Sequence, residues 1–317
     1  MRISASQAIE LIQQEQVVSL PTETVYGLAA SLSSLTAIEA IFILKGRPRS
    51  NPLIIHVADV SQIQYYITEC PPNFEKLAEA FWPGPLTLIL PIVTDRIPTA
   101  VRADLKTAAF RIPNHPLTRE VLRATGPLVM PSANLSGKPS ATSPLHVEAD
   151  FGEGFPVLEG GECIKGLEST ILHYQEGHWI ILRLGSLEPE IFQSTLGYQP
   201  QIYTTPPNGT TKPLCPGQLF RHYAPKAKLI LGDLTQLEAA PFILGFKERS
   251  YPAEKRILSM GSLNDPEEVA ENFYKNLRQL DLENAAIAWV DMDFPRQGLW
   301  LTIAERLERA GNGGNFN

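Results

Sequence analysis

Residues 45–57 read Lys45-Gly46-Arg47-Pro48-Arg49-Ser50-Asn51-Pro52-Leu53-Ile54-Ile55-His56-Val57, and this stretch decides the fold class. Before it, Ile38, Ile41, Phe42 and Leu44 recur at helical spacing, so a helix is expected over Thr36–Lys45, ended by Gly46 and Pro48. After it, Leu53–Val57 is a short β-rich run. A helix that feeds a strand through a proline-locked loop is half of an α/β unit. Upstream, Ala8, Ile9, Leu11 and Ile12 follow Ser4 or Ser6 as a cap and suggest a short amphipathic helix. It runs into the strand-like Val17–Leu20, which Pro21 stops. Downstream, strands are expected at Thr87–Leu90, Ala108–Ile112, Leu128–Met130, Thr170–His173 and Trp179–Leu182. Helical patterns at Phe74–Phe81, Pro116–Ala124 and Ser143–Ala149 interleave with them. The expectation is therefore α/β.

From Gln199 to Pro225 periodicity vanishes among Pro200, Pro206, Pro207, Pro213, Pro216 and Pro225, which reads as a semi-rigid connector. The pattern then restarts, with strands at Leu229–Leu231, Ile257–Leu258 and Ile287–Val290 and helices at Pro266–Leu280 and Leu299–Arg309. The expected organisation is an α/β domain over 1–198, a proline-rich linker or lid over 199–226, and a small α/β unit over 227–317.

The composition agrees with a chain of this kind. At ~150 residues per domain, 317 residues suggest two domains, and 44% apolar residues suffice for a core. The formal charge of −7 argues against a surface that grips nucleic acid throughout, but leaves room for a local basic cleft. The 27 prolines exceed the usual ~5% share and suggest many fixed loops. Three cysteines without a CxxC pair argue against a disulfide scaffold or a cysteine zinc site. Without an apolar run near ~20 residues or a signal pattern, a cytoplasmic protein with no membrane contact is expected.

Common catalytic motifs are missing: GxxxxGK[ST], GxSxG, HExxH and GxGxxG do not occur. Unusual polar loops at strand ends remain. Pro21-Thr22-Glu23-Thr24-Val25-Tyr26-Gly27 carries two hydroxyls, a carboxylate and a phenol. Helix capping by Thr22 explains it as well as function does. In 45–52, Lys45 would be favoured at a helix C-terminus in any case, but two prolines make the following basic loop rigid and suited to polyphosphate. Pro131–Ser140 offers three hydroxyls, an amide and Lys138, either as a plain turn or as an anion nest. Arg111 and Arg183 sit in or beside apolar strands, where a charge is paired, faces a cleft, or lies on a half-solvated face. Glu168-Ser169-Thr170 repeats the acid-and-hydroxyl theme, and His56 by default is a satisfied core or edge histidine. No residue set has the spacing of a metal cage.

In order along the chain, PTETVYGLAA (21–30), KGRPRSNPLIIHV (45–57), FWPGPLTLIL (81–90), FRIPNHP (110–116), PSANLSGKPSATS (131–143), ESTILH (168–173), ILRLGS (181–186) and PGQLFRHYAPKAKLIL (216–231) resemble the threonylcarbamoyl-AMP synthase family in its long form. GLWLTIAERLERAG (298–311) resembles the last helix of that form's second domain. The resemblance implies a YrdC-like twisted mixed sheet with helices around a concave basic cleft, plus a small Rossmann-like α/β C-terminal domain. It implies an enzyme, a nucleotidyltransferase, that condenses L-threonine, bicarbonate or CO2, and ATP to threonylcarbamoyl-adenylate and pyrophosphate. The product would pass to transferase proteins that modify tRNA.

By that resemblance, Lys45 and Arg47 are the catalytic cations. Asn51, Thr107, Ser132, Asn134, Ser140, Arg183, His222 and Tyr223 join them at ATP. Thr24, His56, Arg111, Met130 and Ser169 surround threonine. Mg²⁺ would be held mainly by the ATP phosphates. Two positions depart from the family pattern: Leu219 replaces a lysine in the connector, and Met130 stands where a small residue is common. Two other readings compete. An RNA-binding module of YrdC type, with weak RNA binding, would need Lys45, Arg47, Arg111, Lys138 and Arg183 along one groove. A carbamoyl transferase that uses carbamoyl phosphate lacks its companion acylphosphatase and zinc-finger sequences here.

Overall fold

The computed structural model describes residues 1–203, 213–217, 223–232 and 234–311. Its helices end where the sequence chemistry stops them. The helix Leu35–Lys45 is capped by Ser34, whose Oγ accepts from the Ala37 N–H at 3.1 Å, a contact worth about 1 kcal/mol. It stops at Gly46, which takes a left-handed conformation at φ +60° that a side chain would strain. The Arg47 N–H turns back to the Phe42 carbonyl. Lys45 thereby ends the helix and Arg47 opens the loop.

Ten strands form one mixed sheet. They are β1 Arg2–Ile3, β2 Val18–Leu20, β3 Gly27–Ser31, β4 Ile54–His56, β5 Leu86–Pro91, β6 Thr107–Arg111, β7 Leu128–Val129, β8 Val157–Leu158, β9 Thr170–Gln175 and β10 His178–Arg183. Their order is β1-β8-β2-β3-β7-β4-β6-β5-β9-β10. Strand alternation sorts the side chains of the central strands. Ile55 and Phe110 enter the main core with Ile38, Ile41 and Phe42. Ile54 and Ala109 face the other way, with Ile89, Ile171, Leu182 and Cys215 of the connector. The register pairs His56 with Arg111 across β4 and β6, so both project on this second face.

β10 adds a third polar group by breaking its own pattern. Ile181 pairs with Leu172 while Arg183 pairs with Ile171, leaving Leu182 as an extra residue. Such a bulge re-aims the side chains beside it. Ile181 stays in the main core, Leu182 joins the second face, and Arg183 lines the cleft on that face.

β11 Lys228–Leu231, β12 Phe242–Phe246, β13 Arg256–Gly261 and β14 Ile287–Val290 form a second, wholly parallel sheet in the order β11-β14-β12-β13. The helices Pro266–Leu282 and Leu299–Gly311 bury Phe273, Tyr274, Leu277, Trp300, Ile303 and Leu307 in one cluster, which also takes in Val25 and Leu167 from the first sheet's loops. The apolar face of the second unit thus continues into the wall of the first. No helix among the described residues is long and apolar enough to cross a membrane. Several strands escape the sequence pattern: β1, β3, β8 and β12 were not expected. Thr22 starts no helix; its Oγ accepts from the N–H groups of Thr24 and Val25, making a side-chain-closed turn.

Candidate active site

The second face of the large sheet, the Pro131–Ser140 loop and the connector enclose a cleft of about 70 Å³. Lys45, Arg47, His56, Arg111, Met130, Ser132, Asn134, Ser140, Ser169, Arg183 and Tyr223 all line it, as do Lys138 and Glu168. Polar loops scattered between Lys45 and Tyr223 therefore converge on one cleft. Arg111 and Arg183 are buried and face the cleft, which removes the half-solvated alternative for both.

The cations are fixed before any anion arrives. Lys45 Nζ donates to the carbonyls of Ser132 and of Asn134, the latter at 2.6 Å. The Ser136 N–H returns a bond to the Lys45 carbonyl at 2.8 Å, so the helix end and the Ser/Asn loop are laced together. Burial, reinforced by Arg47, holds the Lys45 ammonium well below its usual range. Arg47 donates through Nε to the Asn51 carbonyl at 3.2 Å and through Nη2 to the Pro52 carbonyl at 2.7 Å. Burial and then the Arg183 charge push it down to about 9, so it stays protonated at neutral pH. Arg183 grips the Ser169 carbonyl with Nε and Nη2 at 3.2 and 2.8 Å, and Nη2 also donates to the Ser169 Oγ.

A second group clusters around Arg111. Its Nη2 donates to Glu23 Oε1 at 2.8 Å and to Thr24 Oγ1 at 2.9 Å, and its Nε donates to the Gly84 carbonyl. Nη1 is the guanidinium nitrogen outside these bonds. Glu23 also accepts from the Asn114 N–H at 3.0 Å. Thr24 thus touches Arg111 without lining the cleft. His56 is buried with Nδ1 3.3 Å from the Ile54 carbonyl, and burial together with Arg111 lowers it to about 3. It is a neutral hydrogen-bonding group at physiological pH.

Two further expected residues lie outside the lining of this cleft. Asn51 borders a separate, open cleft of about 700 Å³ that shares Ser136, Gly137 and Lys138. Thr107 begins β6, four residues before Arg111, roughly 13 Å along the strand. His222 lies outside the described residues, as does Leu219.

Sequence reasoning did not single out Tyr274, Arg278 and Arg306, the residues of the second unit that tie it to the cleft. Glu168 Oε1 accepts from Ser140 Oγ and from Tyr274 Oη, each at 2.7 Å, and Oε2 accepts from Arg306 Nε at 3.2 Å. Arg278 donates to the carbonyls of Pro139 and Ser140 at 2.6 and 3.2 Å and pairs with Asp150 at 2.9 Å. A signal was present: Arg306 falls between Ile303 and Ala310 on the apolar stripe of its helix, where an unpaired charge is costly.

Among the described residues, no group of three or more His, Cys, Asp or Glu side chains stands close enough to hold a metal by itself. Asn134, which lines the cleft, has a hard oxygen to spare: its Oδ1 is buried without a partner while its Nδ2 donates to the Leu135 and Lys138 carbonyls.

Two family models match the chain. A family model described as telomere recombination, covering the Sua5, YciO and YrdC proteins, matches residues 10–185. A second, described as the C-terminal domain of threonylcarbamoyl-AMP synthase, matches residues 190–312. The threonylcarbamoyl-AMP synthase of Bacillus subtilis is 36% identical over 97% of this chain and 93% of its own. That of Pyrococcus abyssi is 36% identical over 96% and 92%. The crystal structure of P. abyssi Sua5 complexed with L-threonine superposes with a TM-score of 0.89 at 33% identity, covering 98% of this chain and 96% of that one.

Proposed function

This chain belongs to the threonylcarbamoyl-AMP synthase family, and from that premise we propose that it condenses L-threonine, bicarbonate or CO2, and ATP to threonylcarbamoyl-AMP and pyrophosphate. The observation that carries the reading is the partition of one cleft. Lys45, Arg47 and Arg183 gather at one part, and Arg111 with His56 at another, with Thr24 bonded to Arg111 from outside the lining.

The Arg111 guanidinium is the natural partner for the amino-acid carboxylate, and its bonds to Glu23, Thr24 and Gly84 hold it in place beforehand. Neutral His56 offers a hydrogen-bonding edge without adding charge. The threonine amine takes up CO2 to give a carbamate; one of its oxygens attacks the α-phosphorus of ATP and pyrophosphate leaves. No covalent enzyme nucleophile is required. Lys45 and Arg47 neutralise the departing pyrophosphate, and because backbone carbonyls already position them, little reorganisation accompanies the transfer. This makes the activity a nucleotidyl transfer.

Magnesium carried by the ATP phosphates would spread the charge of the triphosphate, with Asn134 Oδ1 as the protein oxygen that fits it. A 70 Å³ cleft is below the ~300–1,000 Å³ of ordinary ligand sites. Pro216, Gly217 and Tyr223 form part of its wall, so these three residues must draw back to admit ATP and, once returned, would shelter the water-labile carbamate.

RNA binding is disfavoured although the cations share one cleft. Lys45, Arg111 and Arg183 are buried, out of reach of a polynucleotide backbone. The product would serve tRNA-modifying transferases in the cytoplasm, a setting consistent with three free cysteines. Mass spectrometry of a reaction supplied with ¹³C-bicarbonate tests the proposal: a labelled threonylcarbamoyl adduct of AMP is expected, and unlabelled AMP as the sole nucleotide product would refute it.

A further inference from the structure

The reaction just described leaves one buried acid of the cleft without a task. Glu168 is buried, lines the cleft that holds Lys45, Arg47 and Arg183, and would stand as a fixed negative charge in a site meant for a triphosphate. Its carboxylate is bonded by three side chains. Ser140 and Tyr274 donate to it, and Arg306 approaches Oε2 at 3.2 Å with only 1% of its own side chain exposed. Arg306 is held in turn by the Leu184 carbonyl at 2.7 Å and by Glu305. The same guanidinium lies 4.7 Å from the centroid of the Tyr223 ring, and that ring packs 5.5 Å from Tyr274.

Tyr274 and Arg306 come from the two helices of the second unit, whereas Glu168, Ser140 and Tyr223 border the cleft. One cation therefore does two things from behind the wall. It cancels the acid that would repel phosphate, and it seats the connector's tyrosine by a cation–π contact. A burial of this kind is not justified by stability alone, because an apolar pair of equal volume would serve as well. Placement beside a polyanion site gives the pair a purpose.

We infer that Arg306 is a positioning residue for the ATP half of the site, acting through the charge of Glu168, and that the C-terminal unit thereby sets nucleotide affinity. The inference rests on the reaction proposed above. Removing Arg306 uncovers a charge near the phosphates, which weakens ATP binding, while the threonine group around Arg111 keeps its own partners.

The experiment compares the full-length wild-type chain with Arg306→Met, Glu168→Gln and the double variant, reading KM for ATP, KM for threonine and thermal melting. Arg306→Met should raise the ATP KM on the order of tenfold, the size of one uncompensated charge at partly screened distance, with the threonine KM changed far less. Glu168→Gln introduced into Arg306→Met should bring the ATP KM back toward the wild-type value, because the offending charge is gone. If Arg306→Met does not fold, Arg306→Gln takes its place in the same comparison, alone and combined with Glu168→Gln. A folded double variant with an ATP KM as poor as that of Arg306→Met, or equal losses for ATP and threonine, would overturn it. A wild-type chain without threonine-dependent pyrophosphate release would instead remove the reaction itself.

Discussion

Glu23 and Arg111 form a buried ion pair, Oε1 to Nη2 at 2.8 Å, with 4% and 5% of their side chains exposed. The pair joins the polar turn after β2 to the end of β6, and it decides how Arg111 meets a substrate. Nη2 is already committed, so a threonine carboxylate is met by a guanidinium whose orientation is fixed. Arg111→Ala is expected to raise the threonine KM about thirtyfold or more, the usual cost of truncating a buried charge pair, with the ATP KM far less affected. Arg111→Lys should not restore it, since an ammonium lacks the planar fork. Glu23→Ala should cost about 3–5 kcal/mol of stability by leaving Arg111 unpaired, measured by denaturant unfolding.

Lys45 links ATP binding to protons. Burial and Arg47 hold it below the usual lysine range, and a bound triphosphate raises it again. Between that depressed value and the free-lysine ~10.4, binding should take up protons. Calorimetry in two buffers of different ionisation heat would then give different apparent enthalpies, and the difference should vanish in Lys45→Met. Identical enthalpies for the wild type would argue against Lys45 as the phosphate partner.

Acid should destabilise the fold before most carboxylates titrate. His56 is held near 3 by burial and Arg111, and His146 near 3 by burial and Arg278. Unfolded histidine titrates near ~6.5. Below that pH the unfolded chain binds protons that the folded one refuses. Stability from these two groups is therefore complete above ~6.5 and falls toward pH 3, by roughly 1.4 kcal/mol per pH unit for each. Melting temperature against pH should show the decline, and His146→Gln should flatten part of it.

The contact between the two units can be opened without touching a charge. Gly166 has φ +66°, and a Cβ there would lie 2.1 Å from the Ala270 carbonyl oxygen, on the helix that carries Tyr274. Gly166→Ala should lower stability by about 1–3 kcal/mol and raise the ATP KM together with it. A substitution that melts earlier yet binds ATP normally would show that the helix position is irrelevant to the cleft.

Periodicity made the skeleton legible. The helix over 36–45 and the strand over 53–57 appear as Leu35–Lys45 and Ile54–His56, because an apolar stripe and a β-branched run are local properties. Arg111 and Arg183 stood out since a charge in an apolar strand demands an explanation. β3 did not, because Gly27-Leu28-Ala29-Ala30-Ser31 has small residues and no alternation. It becomes a strand by pairing with β2 and β7, which only tertiary structure supplies. Arg306 carried a signal as a charge on an apolar stripe, but its partner could not be read, for Glu168 lies 138 residues away. The bulge that turns Arg183 into the cleft likewise depends on the register with β9.

The most direct measurement is pyrophosphate release by the purified chain with ATP and Mg²⁺, omitting threonine and bicarbonate one at a time and adding no RNA. Release is expected only when threonine, bicarbonate and ATP are all present, and it should fall sharply in Lys45→Ala. Release that continues undiminished without threonine would contradict the assignment of the cleft to threonylcarbamoyl-AMP synthesis.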